Sequence, residues 1–402
     1  MSDAAIASSD LAREKLEQAV QILAEEEVDV WLTFVRETML TRDPALDLVG
    51  GVYCAWHGAF LVSREGERVA IVGRFDAPSV ESLGAYDRVI GYDESFRPAL
   101  VDELERLAPR SIALNYSESD PAADGLTHGL WLTLQDVLQS TGRAGGVVSS
   151  ERIVNALRGR KSRGEIELVR AAVVETEEIF DVVTRALAPG MTELEVADVI
   201  HSEIERRGLG YAWGREHCPA VNAGPEKEIG HSGPTDLRTA RGELLHVDFG
   251  VSREGYCSDL QRVWYLLAGN ESEPPEEVVR AWTALWAAVD AGADVLRPGV
   301  AGWEVDTAAR EALVAAGLPE PKYALGHQLG RAAHDGGTLL GPRWDRYGRA
   351  PLGYVEEGNV FTLEFGAAVP GRGYIGLEED VVVTADGVEW LSTPQRELWL
   401  VP

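Results

Sequence analysis

The chain has 402 residues, and its 37 basic against 66 acidic side chains give a formal net charge of −29. This length allows two domains, and the acidic surplus argues against binding to nucleic acid or to an anionic membrane. The N-terminus has no basic segment before an apolar run, and no charge-free stretch reaches transmembrane length. Three widely spaced cysteines, Cys54, Cys218 and Cys257, argue against a disulfide framework. We therefore expect a cytoplasmic protein.

Strand and helix patterns alternate over about the first 150 residues. An amphipathic helix is predicted near residues 9–26, and a strand follows near residues 28–34. Further strand patterns near residues 58–63, 68–72, 88–91 and 111–116 are interleaved with helical ones. Such alternation is typical of helices packed on a mixed sheet, so we predict an α/β domain over residues 1–154. This domain carries no catalytic pattern, and we expect it to serve dimerisation and to wall the site.

The remainder of the chain, residues 155–402, contains an internal repeat. The segment Leu187-Ala188-Pro189-Gly190 recurs as Leu296-Arg297-Pro298-Gly299, and the offset of 109 residues holds without gaps into the helices that follow. Thr192 and Glu195 are spaced as a capping box, and Gly208 stands where the capped helix should end. We predict two related halves of two helices and a hairpin each, with a cleft between them for a site.

The first predicted hairpin carries two aspartates. Residues 243–250 form an apolar strand pattern with Asp248, and residues 256–266 resume it with Asp259 after a turn at Gly255. Because strand side chains alternate between faces, folding back at Gly255 can bring the two carboxylates together. Cys257 shares the strand face of Asp259, where a thiol ligand is an alternative to the favoured role of a small buried apolar residue.

The second predicted hairpin repeats this arrangement with two glutamates. Glu364 lies in the strand pattern of residues 360–366, and Glu378 lies in that of residues 374–384. Burying four acids without a counter-charge is costly, and divalent cations offset that cost. With His327 added, this oxygen-rich set suits Mn, Co, Fe or Zn. Four carboxylates exceed what one catalytic ion requires, so two ions are predicted.

These motifs, in this order, resemble those of the pita-bread metallopeptidases, in the branch of prolidase and aminopeptidase P. The matching segments are Asp248 in residues 246–250, Asp259 in residues 255–259, His327 in residues 326–330, Glu364 in residues 362–366 and Glu378 in residues 377–380. The resemblance covers the whole chain. It implies a creatinase- and prolidase-like α/β N-terminal domain, followed by an α+β pita-bread catalytic domain with a pseudo-two-fold repeat.

The resemblance also implies roles for these residues. Asp248 would chelate one divalent ion, Asp259 and Glu378 would bridge both, and His327 and Glu364 would hold the second; the ions would be Mn, Zn or Co. Two histidines outside the ligand set match catalytic histidines of the family. They are His231, which lies among Gly, Ser and Pro, and His334, which follows His327 by seven residues. His246 shares a strand face with Asp248 and can support that ligand.

Several residues depart from the family pattern. Gln261 replaces a threonine, Phe365 a proline, and Asp335 a glutamate. Gly376 replaces an arginine that can pair with a substrate carboxylate. Two replacements are predicted for this cation, because the arginine fork binds carboxylates bidentately: Arg331, which lies between His327 and His334, is favoured, and Arg372, on the loop of the second hairpin, is the second choice.

The resemblance predicts a dinuclear Xaa-Pro dipeptidase, or prolidase, that hydrolyses the bond before proline in short peptides through a metal-bridging hydroxide. Glu364 would accept the proton, and His231 and His334 would hydrogen-bond to the substrate and the tetrahedral intermediate. The alternatives are aminopeptidase P activity on longer peptides, a metal-independent creatinase-like hydrolase, and a non-catalytic binding scaffold of the same fold. We expect a homodimer, because prolidase-like proteins are commonly dimers.

Overall fold

A computed structural model describes residues 3–227, 230 and 233–402 of the chain. The chain divides into two units, Met1–Arg158 and Gly159–Pro402. The boundary predicted after residue 154 falls within the helix that ends the first unit. Within the described ranges, no helix combines the length and the apolar character needed to cross a membrane.

The first unit is built on a six-stranded sheet, with five α-helices among its described residues. The strands are β1 (Val30–Arg36), β2 (His57–Ser63), β3 (Arg68–Gly73), β4 (Arg88–Tyr92), β5 (Ile112–Leu114) and β6 (Val147–Ser149). The helices are α1 (Asp3–Glu25), α2 (Ala77–Ser82), α3 (Arg97–Leu107), α4 (His128–Ser140) and α5 (Glu151–Gly159). The strand order is β4-β3-β2-β1-β5-β6, with both parallel and antiparallel pairs. The predicted mixed α/β domain is therefore confirmed.

The central strand β1 explains why helices cover both faces of this sheet. Its fully buried side chains alternate between two apolar cores. Trp31 packs in one core with Leu16 of α1. Leu32 packs in the other core with Leu104 of α3 and Leu134 of α4. A strand that is apolar on both faces requires a layer on each side.

The second unit contains four longer helices and ten strands within the described ranges. The helices are α6 (Arg163–Ala186), α7 (Glu193–Arg207), α8 (Glu276–Val295) and α9 (Gly302–Ala315). The strands are β7 (Gly210–Tyr211), β8 (Ala220–Ala223), β9 (Leu244–Phe249), β10 (Val251–Arg253), β11 (Tyr256–Cys257), β12 (Leu260–Leu266), β13 (Val360–Val369), β14 (Gly373–Thr384), β15 (Gly387–Trp390) and β16 (Trp399–Val401). Seven strands form one sheet in the order β13-β14-β12-β9-β8, with β15 beside β14 and β16 beside β12. Three form a smaller sheet, β11-β10-β7.

The internal repeat appears as two helix pairs, α6 with α7 and α8 with α9. In the first pair Thr192 and Glu195 form the predicted capping box of α7, and Gly208 ends the helix in a left-handed conformation. The position equivalent to Thr192 in the second pair is Ala301, whose N–H donates to Glu304 at 2.9 Å. Alanine has no side-chain oxygen, so the second copy keeps half of the box.

Strand β13 shows which face of the large sheet is available to a site. Phe361, Leu363 and Phe365 are fully buried in a core with Leu285 of α8 and Leu313 of α9. Because successive side chains alternate, Glu364 lies on the opposite face of the strand. The helices therefore cover one face of this part of the sheet, and the acids lie on the other.

Candidate metal centre

Three of the four predicted acids lie in one row across the large sheet. Glu364 on β13 is directly opposite Glu378 on β14, as the second predicted hairpin requires. Glu378 is opposite Gln261 on β12, and Gln261 is opposite Asp248 on β9. Directly paired residues share a face, so this row places three carboxyl groups and one amide side by side on one face of the sheet.

The first predicted hairpin is less regular than the second. Strand β9 pairs with β12, but the segment between them leaves the large sheet and forms β10 and β11 of the small sheet. Asp259 lies between β11 and β12, outside the strand in which the sequence placed it. At this bend a Cβ on Gly250 would lie 1.8 Å from the carbonyl oxygen of Ser258, so only glycine allows the close approach. In the ladder Asp248 is consequently opposite Gln261 and not Asp259. The two carboxyl groups are nevertheless close, because the charge of Asp248, after burial, contributes to the raised pKa of Asp259.

His327 reaches the acids from a segment that runs beside β13. Its carbonyl oxygen accepts a hydrogen bond from the N–H of Thr362 at 3.0 Å, and its own N–H donates to the hydroxyl of Thr362 at 3.2 Å. The ring Nε2 lies 3.8 Å from carboxylate oxygens of Asp259, Glu364 and Glu378 alike. The ligand atoms of Asp259, His327 and Glu378 all lie within 4.8 Å of one another.

The carboxyl groups are in an environment that disfavours their charge. Burial, followed by the charge of Asp248, raises the pKa of Glu364, and burial raises the pKa of Asp248. Burial and neighbouring carboxylates raise the pKa of Asp259 and of Glu378 well above the ordinary values. Burial, with the charge of His334, lowers the pKa of His327 to about 3, so its imidazole is neutral. Buried acids beside a neutral imidazole are what a cation would stabilise.

The residues present fit a divalent cation. Asp248 and Asp259 each have one buried carboxylate oxygen, Oδ1, that finds no hydrogen-bond partner in the described part of the chain. A buried polar atom without a partner is costly, and a metal ligand bond removes that cost. Carboxylate oxygens and one imidazole nitrogen are the donors that Mn, Co and Zn accept.

The second predicted catalytic histidine lies next to this cluster. The ring of His334 is exposed, and its centroid is 4.2 Å from that of His327 in an edge-on arrangement. The next residue, Asp335, forms a buried ion pair with Lys161 at 3.1 Å. Its backbone N–H donates to the carbonyl oxygen of Gln328 at 2.9 Å and so closes the turn that carries both histidines. This ion pair fixes the position of the histidine loop.

The predicted substrate arginines have different positions. Arg331 stacks on the ring of Tyr256, with its guanidinium carbon 5.0 Å from the centroid. Arg372 pairs with Glu277 at 3.2 Å and donates to the carbonyl of Gly242 at 2.9 Å. Arg372 lies in the loop that joins β13 to β14. The last residue pair before this loop is five pairs from the Glu364–Glu378 pair, a distance of roughly 17 Å along a strand. The structure therefore does not bring Arg372 to the acids.

The remaining predicted site residues are His231 and Cys257. His231 lies outside the described residues, and its role stays a prediction. Cys257 is buried, its thiol contacts the backbone oxygens of Ala212 and Arg331, and burial raises its pKa to about 12. A neutral buried thiol is the apolar role favoured from the sequence.

Several residues at the site were not predicted from the sequence. Gln261 contacts both glutamates, and the hydroxyl of Tyr374 contacts that of Tyr323 at 3.0 Å. The charge of Glu364 contributes to the raised pKa of both tyrosines, after burial, so both lie near this acid. Alternation gives a signal for Gln261, because it lies two residues after Asp259 in the strand pattern of residues 256–266. We find no such signal for the tyrosine pair.

The comparisons with known proteins agree with this geometry. The model of the family described as "Metallopeptidase family M24" matches residues 167–385, more than half of the chain. The chain therefore belongs to metallopeptidase family M24. Members of this family depend on metal ions, generally divalent ones, and the protein is accordingly a peptidase.

Individual relatives cover nearly the whole chain. A Bacillus subtilis (strain 168) protein named "Putative dipeptidase YkvY" is 27% identical over 85% of this chain and 88% of its own. The X-Pro aminopeptidase from Thermotoga maritima MSB8 is 24% identical, covers 96% of this chain and 99% of its own, and superposes with a TM-score of 0.72. The Xaa-Pro dipeptidase from Bacillus anthracis is 19% identical, covers 97% and 100%, and has a TM-score of 0.74. At these identities the structures show the fold, which confirms the predicted pita-bread class.

Proposed function

We propose that this chain is a dinuclear metal-dependent Xaa-Pro dipeptidase acting on short peptides. The observation that carries the proposal is the convergence of the ligand atoms of Asp259, His327 and Glu378 within 4.8 Å. Asp248 and Glu364 extend this set along the same row of the sheet. The dipeptidase named among the relatives and the Xaa-Pro dipeptidase among the solved structures support the choice of substrate.

The five residues would hold two divalent ions, with Mn, Zn and Co as candidates. When bound, such ions lower the pKa of a coordinated water and polarise the scissile carbonyl group. Glu364 would accept the proton of the attacking water, since its carboxyl group is adjacent to the ligand cluster. His334 is exposed beside His327 and would donate a hydrogen bond to the substrate, and we assign a similar role to His231.

The choice between dipeptidase and aminopeptidase P depends on recognition of a free carboxylate. The arginine that the family resemblance leads one to expect is Gly376 here, so the cation must come from elsewhere. Arg331 is our candidate. Its side-chain Nε is buried without a hydrogen-bond partner among the described residues, and the residue lies in the same loop as His334. The bidentate arginine fork suits the C-terminal carboxylate of proline.

Steady-state kinetics on three peptides test this proposal. The chain, chelated and then reloaded with Mn²⁺, should cleave an Xaa-Pro dipeptide faster than the same peptide extended by one residue, and should not cleave an Xaa-Ala dipeptide. Arg331→Ala should raise the dipeptide KM. Equal cleavage of dipeptide and tripeptide, with an unchanged KM in Arg331→Ala, would instead identify an aminopeptidase P. Hydrolysis of a guanidino compound by the chelated chain would identify a creatinase-like enzyme. Binding of peptides without hydrolysis would identify a non-catalytic scaffold.

We also propose a cytoplasmic homodimer. The first unit exposes a set of large apolar side chains in its loops, which are typical of a surface that is covered in an assembly. They are Met39, Leu40, Tyr53, Trp56 and Phe75, exposed by 77%, 85%, 45%, 67% and 95%. The three cysteines are unpaired and buried, which suits a reducing compartment. Light scattering at micromolar concentration should give the mass of a dimer, and a monomer mass would contradict the proposal.

A further inference from the structure

Gln261 occupies the middle of the row of site acids. Its two lateral neighbours in the sheet are Glu378 on β14 and Asp248 on β9. It is 8% exposed, and every other residue of β12 is buried as well, including the apolar Leu260 and Val263. A buried primary amide needs partners for its oxygen and for both N–H groups, so its contacts should define its orientation.

The amide nitrogen of Gln261 holds one oxygen of each glutamate. Nε2 donates to Oε2 of Glu378 at 2.8 Å and to Oε2 of Glu364 at 3.2 Å. The other oxygen of each glutamate, Oε1, lies 3.8 Å from Nε2 of His327. Gln261 thus fixes both carboxylates with one oxygen turned towards the imidazole of His327, where a shared ion would be bound.

His246 determines which way the amide points. Nδ1 of His246 lies 2.9 Å from Nδ2 of Asn222, which can only donate, so Nδ1 accepts and Nε2 carries the proton. Nε2 lies 2.8 Å from Oε1 of Gln261 and therefore donates to it. The amide nitrogen of Gln261 is consequently directed at the glutamates.

Gly376 provides the space for this hydrogen bond. A Cβ at position 376 would lie 2.2 Å from Oε1 of Gln261 and 2.4 Å from Nε2 of His246. Both distances are far below van der Waals contact, and the obstacle is the hydrogen-bonded pair itself. Gln261 and Gly376 therefore depend on each other: a side chain at 376, such as the arginine expected from the family resemblance, is incompatible with the amide in this place.

We propose that Gln261 is a positioning residue for Glu364 and Glu378, oriented by His246 and made possible by Gly376. This proposal rests on the metal site of the proposed function, but not on the identity of the substrate. Hydrogen bonds that orient ligating side chains contribute about 10- to 100-fold to metal affinity or activity. Their loss should therefore be visible in ion binding itself.

The test is calorimetric titration of Mn²⁺ into the chelated full-length chain. Gln261→Met keeps the length of the side chain and removes the amide, and we expect it to weaken Mn²⁺ binding by about 10- to 100-fold. Its matched control is Gln395→Met, because Gln395 is a buried glutamine whose amide bonds to Val263 on the same strand, at 3.0 and 2.8 Å, and not to the acids. This control should keep the wild-type Mn²⁺ affinity. Thermal unfolding in chelator establishes that each variant is folded.

A second variant tests the dependence on Gly376. Gly376→Ala should displace the amide and weaken Mn²⁺ binding as Gln261→Met does, and the double variant should be no weaker than Gln261→Met alone, because both changes remove the same contacts. Wild-type or tighter Mn²⁺ binding by folded Gln261→Met, or an equal loss in Gln395→Met, would overturn the proposal. If the wild-type chain binds Mn²⁺ but cleaves no Xaa-Pro peptide, the proposed function fails while this comparison still decides the role of Gln261.

Discussion

The two acid-bearing hairpins of the second unit differ in regularity. In β13–β14 ten residue pairs run without interruption, and Glu364 and Glu378 are directly opposite each other. Between β9 and β12 the chain leaves the sheet, forms a second small sheet, and returns with Asp259 outside the ladder. The comparison shows that a repeat can supply the same kind of ligand by two routes, one set by strand register and one by a bend. Substitutions in the two hairpins should therefore have different consequences.

The largest effect is expected at the irregular hairpin. Asp259→Ala should abolish Mn²⁺ binding at the cluster and lower kcat/KM by about a thousandfold or more, since a Lewis acid is worth several kcal/mol and each 1.4 kcal/mol is tenfold. Metal analysis and kinetics on an Xaa-Pro dipeptide measure both. Asp290→Ala, at an exposed carboxylate paired with Arg396, is the control and should behave as wild type. Full activity of metal-free Asp259→Ala would show that the reaction does not require this ligand.

At the regular hairpin, the substitution can separate proton transfer from ion binding. Glu364→Gln keeps a ligand oxygen and the strand register, but it removes the proton acceptor, so kcat should fall by about 100-fold while KM changes little. Stoichiometric binding of at least one ion should remain. The exposed Glu389 gives the control, Glu389→Gln. An unchanged kcat in Glu364→Gln would assign the proton to another group.

The loop that joins the second helix pair to its hairpin depends on a buried ion pair. Lys161→Met would leave Asp335 buried without its cation, and we expect a loss of about 3 to 5 kcal/mol in the free energy of unfolding. Denaturant titration measures this loss. The double variant Lys161→Met/Asp335→Leu should recover part of it, since no unpaired charge remains. A loss below about 1 kcal/mol in the single variant would show that water or another group stabilises Asp335.

The acids should also make the stability of the metal-free chain depend on pH. The pKa values of Asp248 and Glu364 are raised by burial to about 7 and about 8, so their contribution to stability is present at low pH and is lost as the pH rises through these values. Burial lowers the pKa values of His327 and His246 to about 3 and about 4, so both are neutral in the fold at these pH values. In the unfolded chain they lose their remaining protons between about pH 6.5 and 7.5, which opposes the decline only slightly.

We therefore expect the melting temperature of the chelated chain to fall between pH 6.5 and 8.5. Each kcal/mol lost from the free energy of unfolding should lower it by about 2 to 4 °C. Saturating Mn²⁺ should remove most of this decline. Calorimetry of both forms across this pH range is the measurement, and a pH-independent difference between the two would contradict the assignment of the shifts to these acids.

The sequence predicted the regular hairpin well because its information is local. Strand alternation and a glycine-rich loop were sufficient to place Glu364 opposite Glu378. The irregular hairpin depends on contacts between segments. The carbonyl oxygen of Ser258 approaches Gly250 so closely that no side chain fits there, and Asp259 leaves the ladder at this bend. Sequence spacing gives no indication of this close approach.

The same limit applies to the supporting residues. Gln261 and Gly376 were noticed separately as departures from a family pattern, but only the structure shows that they are in contact. For Arg372, closeness in sequence was misleading. It is six residues from Glu378, yet the length of the β13–β14 ladder separates the two side chains. Predicting substrate arginines requires tertiary geometry, whereas predicting acids on strands does not.

The unequal helix caps of the internal repeat have a consequence for engineering. One copy of the duplicated unit has kept threonine at the start of its second helix, and the other has alanine at the equivalent position 301. The intact copy is thus a natural template for restoring the other. Ala301→Thr would return the missing oxygen to a helix whose Glu304 is already in place, and such caps are worth about 0.5 to 2 kcal/mol. In a duplicated architecture, the two copies within one chain can thus be compared with each other to find stabilising substitutions, as is ordinarily done by comparing homologues.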